Sequence, residues 1–117
     1  MIRVHHRDEL SAVDLDNGSD IRHVVKRVLV GPDHGAEGFV MRLFTLGTGG
    51  STPSHTHPWE HEVYVLRGTG ALLTDEGEQP LCPGHAAFVP AGARHRFATR
   101  GEGPFEFICV VPREGEG

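Results

Sequence analysis

The chain has only two cysteines in 117 residues, Cys82 and Cys109, too few for a disulfide framework and at a separation that fits no zinc finger. Both thiols are expected to be reduced. No stretch approaches the roughly 18 uninterrupted apolar residues of a membrane-spanning helix. The start Met1-Ile2-Arg3-Val4-His5-His6-Arg7 lacks the apolar centre of a secretion signal. The expected location is the cytoplasm. Positive charge is also sparse: 11 Lys and Arg stand against 16 Asp and Glu, a formal charge of -5, with no basic stripe to follow a phosphate backbone. Neither nucleic acid nor membrane is an expected partner. No segment carries a 3.6-residue apolar period, so helices are not expected to supply the core.

What the chain has in quantity is punctuation. Its 16 glycines and 8 prolines are spread along the whole length, the pattern of many short strands joined by tight turns. The length suits one domain with a single core, taken as residues 1–117. The fold class is therefore all-β, a barrel or sandwich. An early strand and a loop are expected before residue 21. Strands are then expected over 21–30, 39–46, 63–66, 69–74, around Leu81, 86–89, 94–99 and 104–111. The glycines Gly47, Gly49 and Gly50 are read as closing the second of these strands, and the polar end Arg113 to Gly117 is expected to fray.

One stretch carries chemistry: Ser54-His55-Thr56-His57-Pro58-Trp59-Glu60-His61-Glu62, at the entrance to the strand Val63-Tyr64-Val65-Leu66. In an extended chain alternate side chains share a face, so His55, His57 and His61 point one way and Glu62 the other. Pro58 is the one residue that can break this parity. Neutral imidazole is the commonest nitrogen ligand of first-row metals, and ligands close in sequence are gathered with little loss of chain entropy. A further ligand must come from elsewhere in the chain.

With these segments placed, the sequence resembles the cupin superfamily, over about residues 40–111. Gly49, His55 and His57 fill a G-x5-H-x-H motif, and Gly84, Pro90, Gly92 and His95 fill every fixed position of G-x5-P-x-G-x2-H. The resemblance implies a double-stranded β-helix (jelly-roll) barrel with a metal inside, and it makes His95 the fourth ligand. Most cupins place glutamate third. Here a three-residue gap after His57 gives His61 and a four-residue gap gives Glu62, so both stay open, with parity favouring His61. The stretch His57 to Val63 and the ending Cys109 to Gly115 resemble small single-domain manganese cupins with four-histidine sites.

Four neutral imidazoles leave a divalent ion its whole charge, which makes it a stronger Lewis acid than one bound by a carboxylate. If the ion is six-coordinate, two positions remain for water, oxygen, peroxide or substrate. A tetrahedral zinc would be saturated. Manganese is the ion that the resemblance implies, with iron, zinc, copper or nickel as the others such ligands accept. Alternation over Phe105-Glu106-Phe107-Ile108-Cys109 turns Phe105, Phe107 and Cys109 to one face, taken as the barrel interior. Phe44, Phe88, Phe97 and Trp59 are further candidates for the pocket wall, although aromatic residues also serve simply as core. The expected function is a manganese-dependent, dioxygenase-like oxidoreductase activating oxygen or peroxide against a small, largely apolar substrate. The alternatives are a metal-dependent isomerase or lyase that polarises a carbonyl, and a non-catalytic module that binds metal or a small ligand. By family analogy a homodimer is expected, with residues 1–30 at or across its interface.

Overall fold

Short β-branched runs closed by glycine or proline form nine strands in the computed structural model, which describes residues 1–116. They are β1 (Val13–Asp14), β2 (Arg22–Val30), β3 (Phe39–Ser51), β4 (His61–Arg67), β5 (Gly70–Thr74), β6 (Gly77–Leu81), β7 (Ala86–Val89), β8 (His95–Thr99) and β9 (Phe105–Pro112). All pairings are antiparallel, in the order β6-β5-β8-β3-β9-β4-β7, with β2 also on β3 and β1 on β2. The sheet curls on itself into a jelly-roll barrel, as the resemblance implies. Among the described residues, no helix is long and apolar enough to cross a membrane.

The third strand departs most from expectation. Its glycines do not end it; they lie inside it. Gly49 takes a left-handed φ of 74°, and a Cβ at Gly50 would stand 2.7 Å from the Gly47 carbonyl oxygen. Only residues without a side chain fit so tight a fold of the backbone. Against β2 the register jumps from Val24↔Leu46 to Arg22↔Ser51, a bulge that bends the strand. The first part of β3 pairs with β9, while Ser51, beyond the bend, pairs with Ala98 of β8. One strand thus joins the two halves of the barrel.

The interior is filled by alternate residues, as a one-sided sheet requires. Along β9, Phe105, Phe107, Cys109 and Val111 are all 3% exposed or less. The opposite face of the sheet leaves Phe39, Met41, Tyr64, Leu66 and Phe88 exposed.

The early strand expected before residue 21 is the two-residue β1, followed by a loop and preceded by a 3-10 turn (Arg7–Glu9). The turn is docked by Arg7 Nη2 on Glu106 Oε2 at 2.9 Å. The tail does not fray over its described length: Arg113–Glu116 form a 3-10 turn, anchored where Glu116 Oε2 meets Lys26 Nζ at 2.6 Å. Gly117, the last residue of the expected frayed end, lies outside the described residues.

Candidate metal centre

The segment carrying His55 and His57 is not a regular strand. It is laid along the opposite motif by backbone hydrogen bonds. Thr52 N–H donates to the Phe97 carbonyl at 2.9 Å, and His55 and His95 exchange N–H···O bonds of 3.2 and 3.1 Å. Gly92, with φ of 81°, turns its N–H to the His57 carbonyl at 2.7 Å. The two motifs are therefore stitched together before any metal ligand is considered. His61 opens β4 and is fixed by its pairing with Val89 of β7. Burial alternates from there, with His61, Val63 and Val65 buried and Glu62 and Tyr64 exposed. Glu62 stands on the outer face.

His55, His57 and His95 each bring a ring nitrogen within 4.8 Å of the others, and Nε2 of His55 and His57 are 3.2 Å apart. The His61 ring lies 4.8 Å from that of His57 and 4.9 Å from that of His95, centre to centre. His95 and His61 are 2% and 5% exposed. Two of the rings have their other nitrogen engaged. His95 Nδ1–H donates to the Ala93 carbonyl at 2.9 Å, which leaves the lone pair on Nε2. His61 Nδ1 lies 3.2 Å from Cys109 Sγ, a sulfur that already accepts from Arg42 Nη2 at 3.1 Å. Donation from Nδ1–H to this acceptor puts the His61 lone pair on Nε2, which is buried without a partner. Such second partners set the tautomer of a metal-binding imidazole. Here that task falls to a backbone carbonyl and a thiol.

Burial, then the neighbouring imidazoles and Arg42, push His61 down to about 3. Burial first, followed by His57, His95 and Arg42, brings His55 to about 4, and His57 is lowered in the same way. His55 and His61 are therefore neutral at pH 7, with their lone pairs available. Clustered lone pairs with one orphaned buried nitrogen are costly unless a cation satisfies them, so the donor set fits a divalent ion with imidazole preference. His57 is also backed by Trp59, stacked at 4.9 Å and 8°.

A cavity of about 310 Å³ opens beside the cluster, walled by Val24, Phe44, Phe97, Phe107 and Cys109 among others. Phe105, Trp59 and Phe88 do not line it; Phe88 faces outward and is exposed. Phe105 shares the inward parity of Phe107 but packs against Gly70, where a Cβ would overlap its ring. Trp59 lies behind His57, with Gly115 next to its indole nitrogen. The remaining histidines do other work; His34 Nδ1 and His85 Nδ1, for example, accept from the backbone N–H of Gly31 and Cys82. The charged lining residue that the sequence reading does not include is Arg42, 8% exposed. Its signal was legible, because Val40, Arg42, Phe44 and Leu46 share one parity in β3, and a cation in an inward register is out of place among apolar neighbours.

A curled antiparallel barrel with convergent imidazoles and an adjoining apolar cavity defines the class: a barrel protein whose interior is fit for a divalent ion and a small ligand. The family model of the cupin domain (Cupin_2) matches residues 42–111, and the chain belongs to the cupin family. Among solved structures it is similar to the polyketide cyclase RemF from Streptomyces resistomycificus. The TM-score is 0.86 at 36% identity, covering 96% of this chain and 80% of that one. It is similar to a sugar phosphate isomerase of the cupin superfamily from Silicibacter pomeroyi, with a TM-score of 0.78 at 25% identity, covering 91% and 73%. A sequence relative, 1-methylthio-D-xylulose 5-phosphate methylsulfurylase of Rhodospirillum rubrum, is 26% identical over 106 residues, 91% of this chain and 67% of the relative.

Proposed function

We propose that the protein is a metal-dependent enzyme acting on a carbonyl group of a small molecule, with His55, His57, His61 and His95 as the ligands of one divalent ion. The observation that carries this reading is the buried, unpartnered Nε2 of His61 beside the three clustered imidazoles. When bound, the ion supplies Lewis acidity toward a carbonyl or enolate oxygen. The chain's own residues do the rest. Ala93 and Cys109 hold two imidazoles in the ligating tautomer, and Phe44, Phe97 and Phe107 keep the adjoining space apolar. The names of the polyketide cyclase and the sugar phosphate isomerase describe rearrangement of carbonyl compounds rather than net oxidation, which favours this reading.

The manganese-dependent, dioxygenase-like oxidoreductase implied by the family resemblance uses the same four imidazoles and is the second reading. It is favoured by the two positions that four protein ligands leave on a six-coordinate ion. One experiment separates the two. Protein purified without added metal is analysed for its ion, then offered 1,3-diketones while α-proton exchange with deuterated water and oxygen uptake are followed. Exchange without oxygen uptake supports carbonyl chemistry, and stoichiometric uptake supports oxidation. Binding without either identifies a non-catalytic module, and absence of any retained ion overturns the metal site itself.

The assembly belongs to the same proposal: two copies pair through the outer face that exposes Phe39 (72%), Tyr64 (49%) and Phe88 (59%). Met1, Ile2 and Val4, at 93% exposed or more, form an arm within residues 1–30 that reaches the partner. Light scattering on Phe88→Glu is expected to report a monomer where the parent chain reports a dimer. The free thiol of Cys82 fits a reducing, cytoplasmic setting.

A further inference from the structure

Arg42 is a buried cation that the four-histidine site does not use. Its polar contacts are Nε to the Cys109 carbonyl at 3.5 Å, Nη1 to Glu116 Oε1 at 3.4 Å and Nη2 to Cys109 Sγ at 3.1 Å. A guanidinium has five N–H donors, so two have no partner among the described residues, and the bonds to oxygen are at the long limit of useful geometry. Its carboxylate partner is shared. Glu116 Oε2 sits 2.6 Å from Lys26 Nζ, while Oε1 is 3.4 Å from Arg42 Nη1. Two cations facing one carboxylate leave one positive charge at the cavity wall. The guanidinium carbon also lies 5.1 Å from the centre of the Phe44 ring, which places the charge beside an apolar wall.

Buried charges are ordinarily paired, and this one has donors to spare facing a cavity. We infer that the cavity takes a small carboxylate with an apolar body, its anionic head held by Arg42 and its body lying along Phe97 and Phe107. The cavity, about 310 Å³, is near the lower end of ligand pockets, roughly 300–1,000 Å³, so the body is about one ring in size. A phosphate dianion would meet a single unmatched charge and is the poorer fit. This inference deepens the function proposed above and depends on it only for which end of the ligand meets the metal.

The test is calorimetric titration of the metal-loaded protein, and of protein stripped with a chelator, with benzoate, neutral benzamide and inorganic phosphate. Hydrogen bonds to a charged group predict that benzoate binds roughly tenfold or more tightly than benzamide in both forms. Arg42→Gln is expected to abolish that preference, and Arg42→Lys to keep part of it. Glu116→Gln, which removes the half-buried carboxylate shared by both cations, is expected to tighten benzoate severalfold. Equal binding of benzoate and benzamide to the stripped protein, a preference that survives in Arg42→Gln, weaker benzoate in Glu116→Gln, or phosphate binding as tightly as benzoate would each overturn the inference. If Arg42→Gln does not fold, Arg42→Lys and Glu116→Gln decide. Because the stripped protein is one arm, failure of the metal site leaves this test standing.

Discussion

Replacing Cys109 by alanine tests whether the thiol holds a metal ligand in place. Cys109 is 3% exposed, and its sulfur lies 3.2 Å from His61 Nδ1 and 3.1 Å from Arg42 Nη2. Deleting it leaves a hole of about one methyl group, costing roughly 0.5–1.5 kcal/mol. It also strands a buried ring N–H and weakens the satisfaction of a buried guanidinium, at about 1–3 kcal/mol for a stranded donor. The sum is on the order of 2–4 kcal/mol, or a fall in Tm of about 10 °C for a domain of this size. With its ring free to turn, His61 should also lose metal affinity by roughly 10- to 100-fold, the usual effect of removing a partner of a ligating imidazole. Cys109→Ser supplies an acceptor at the same place and should recover most of the affinity, though less of the stability because the hydroxyl is more polar. Thermal unfolding of stripped protein and chelator competition on loaded protein measure the two effects separately. If Cys109→Ala binds metal as tightly as the parent chain, the thiol is only a small apolar filler and the assignment of the His61 tautomer fails. Burial raises the Cys109 thiol and outweighs the lowering influence of Arg42, so the group under test is a neutral thiol at pH 7.

Gly92→Ala puts a side chain at φ of 81° where no atom lies within 4 Å of the new Cβ. The cost is backbone strain alone, about 1–2 kcal/mol in chemical denaturation, and metal affinity should fall with it because the Gly92 N–H bond to His57 is disturbed. Glu106 is expected to dominate one part of the acid limb of stability. Burial would raise its carboxyl, but the bonds from Arg7 and Thr45 together with nearby positive charge outweigh burial and hold it below the ordinary 4.5. A depressed folded value means that its contribution is complete above that ordinary value and is lost as pH falls through the folded one. Glu106→Gln should therefore lower stability at pH 7 and flatten the pH dependence below about 4.5; an unchanged acid limb would refute this. Metal loading should leave far-ultraviolet circular dichroism unchanged and raise stability by about 2.7 kcal/mol at a free ion concentration of 100 Kd. A stripped protein that loses its β signal would show instead that the ion builds the barrel.

The residues most legible in the sequence are those whose roles are local. Ala86–Val89 is bounded by Gly84 and Pro90, and its strand was legible to the residue. Alternation after Phe105 gave the inward face of β9 correctly, yet it could not give depth. Phe105 and Phe107 share a parity, but the register Leu46↔Phe105 and Phe44↔Phe107 seats them at different levels, one over Gly70 and one at the cavity. The glycines of β3 were misread for a related reason. A glycine run ends a strand or bends it, and only the partners on either side decide which. Here β2 and β8 both hold the strand beyond the run, so it bends.

The support behind the histidines was illegible because it is long-range. Cys109 reaches His61 through the pairing of β4 with β9, Val63 opposite Cys109, and no spacing in the sequence records that register. Arg42 reaches the same sulfur because β3 pairs with β9 on its other edge, Arg42 opposite Cys109. The central position of β9 thus places one thiol between an imidazole on β4 and a guanidinium on β3. Two neighbouring strands converge on it, one carrying a metal-type donor and the other a positive charge. A cavity built this way is polarised along the sheet. Lone pairs that call for a cation lie on one side of Cys109, and donors that call for an anion lie on the other. An ion and a carboxylate together satisfy both, whereas either alone leaves the other half of the site with buried polar groups unpaired.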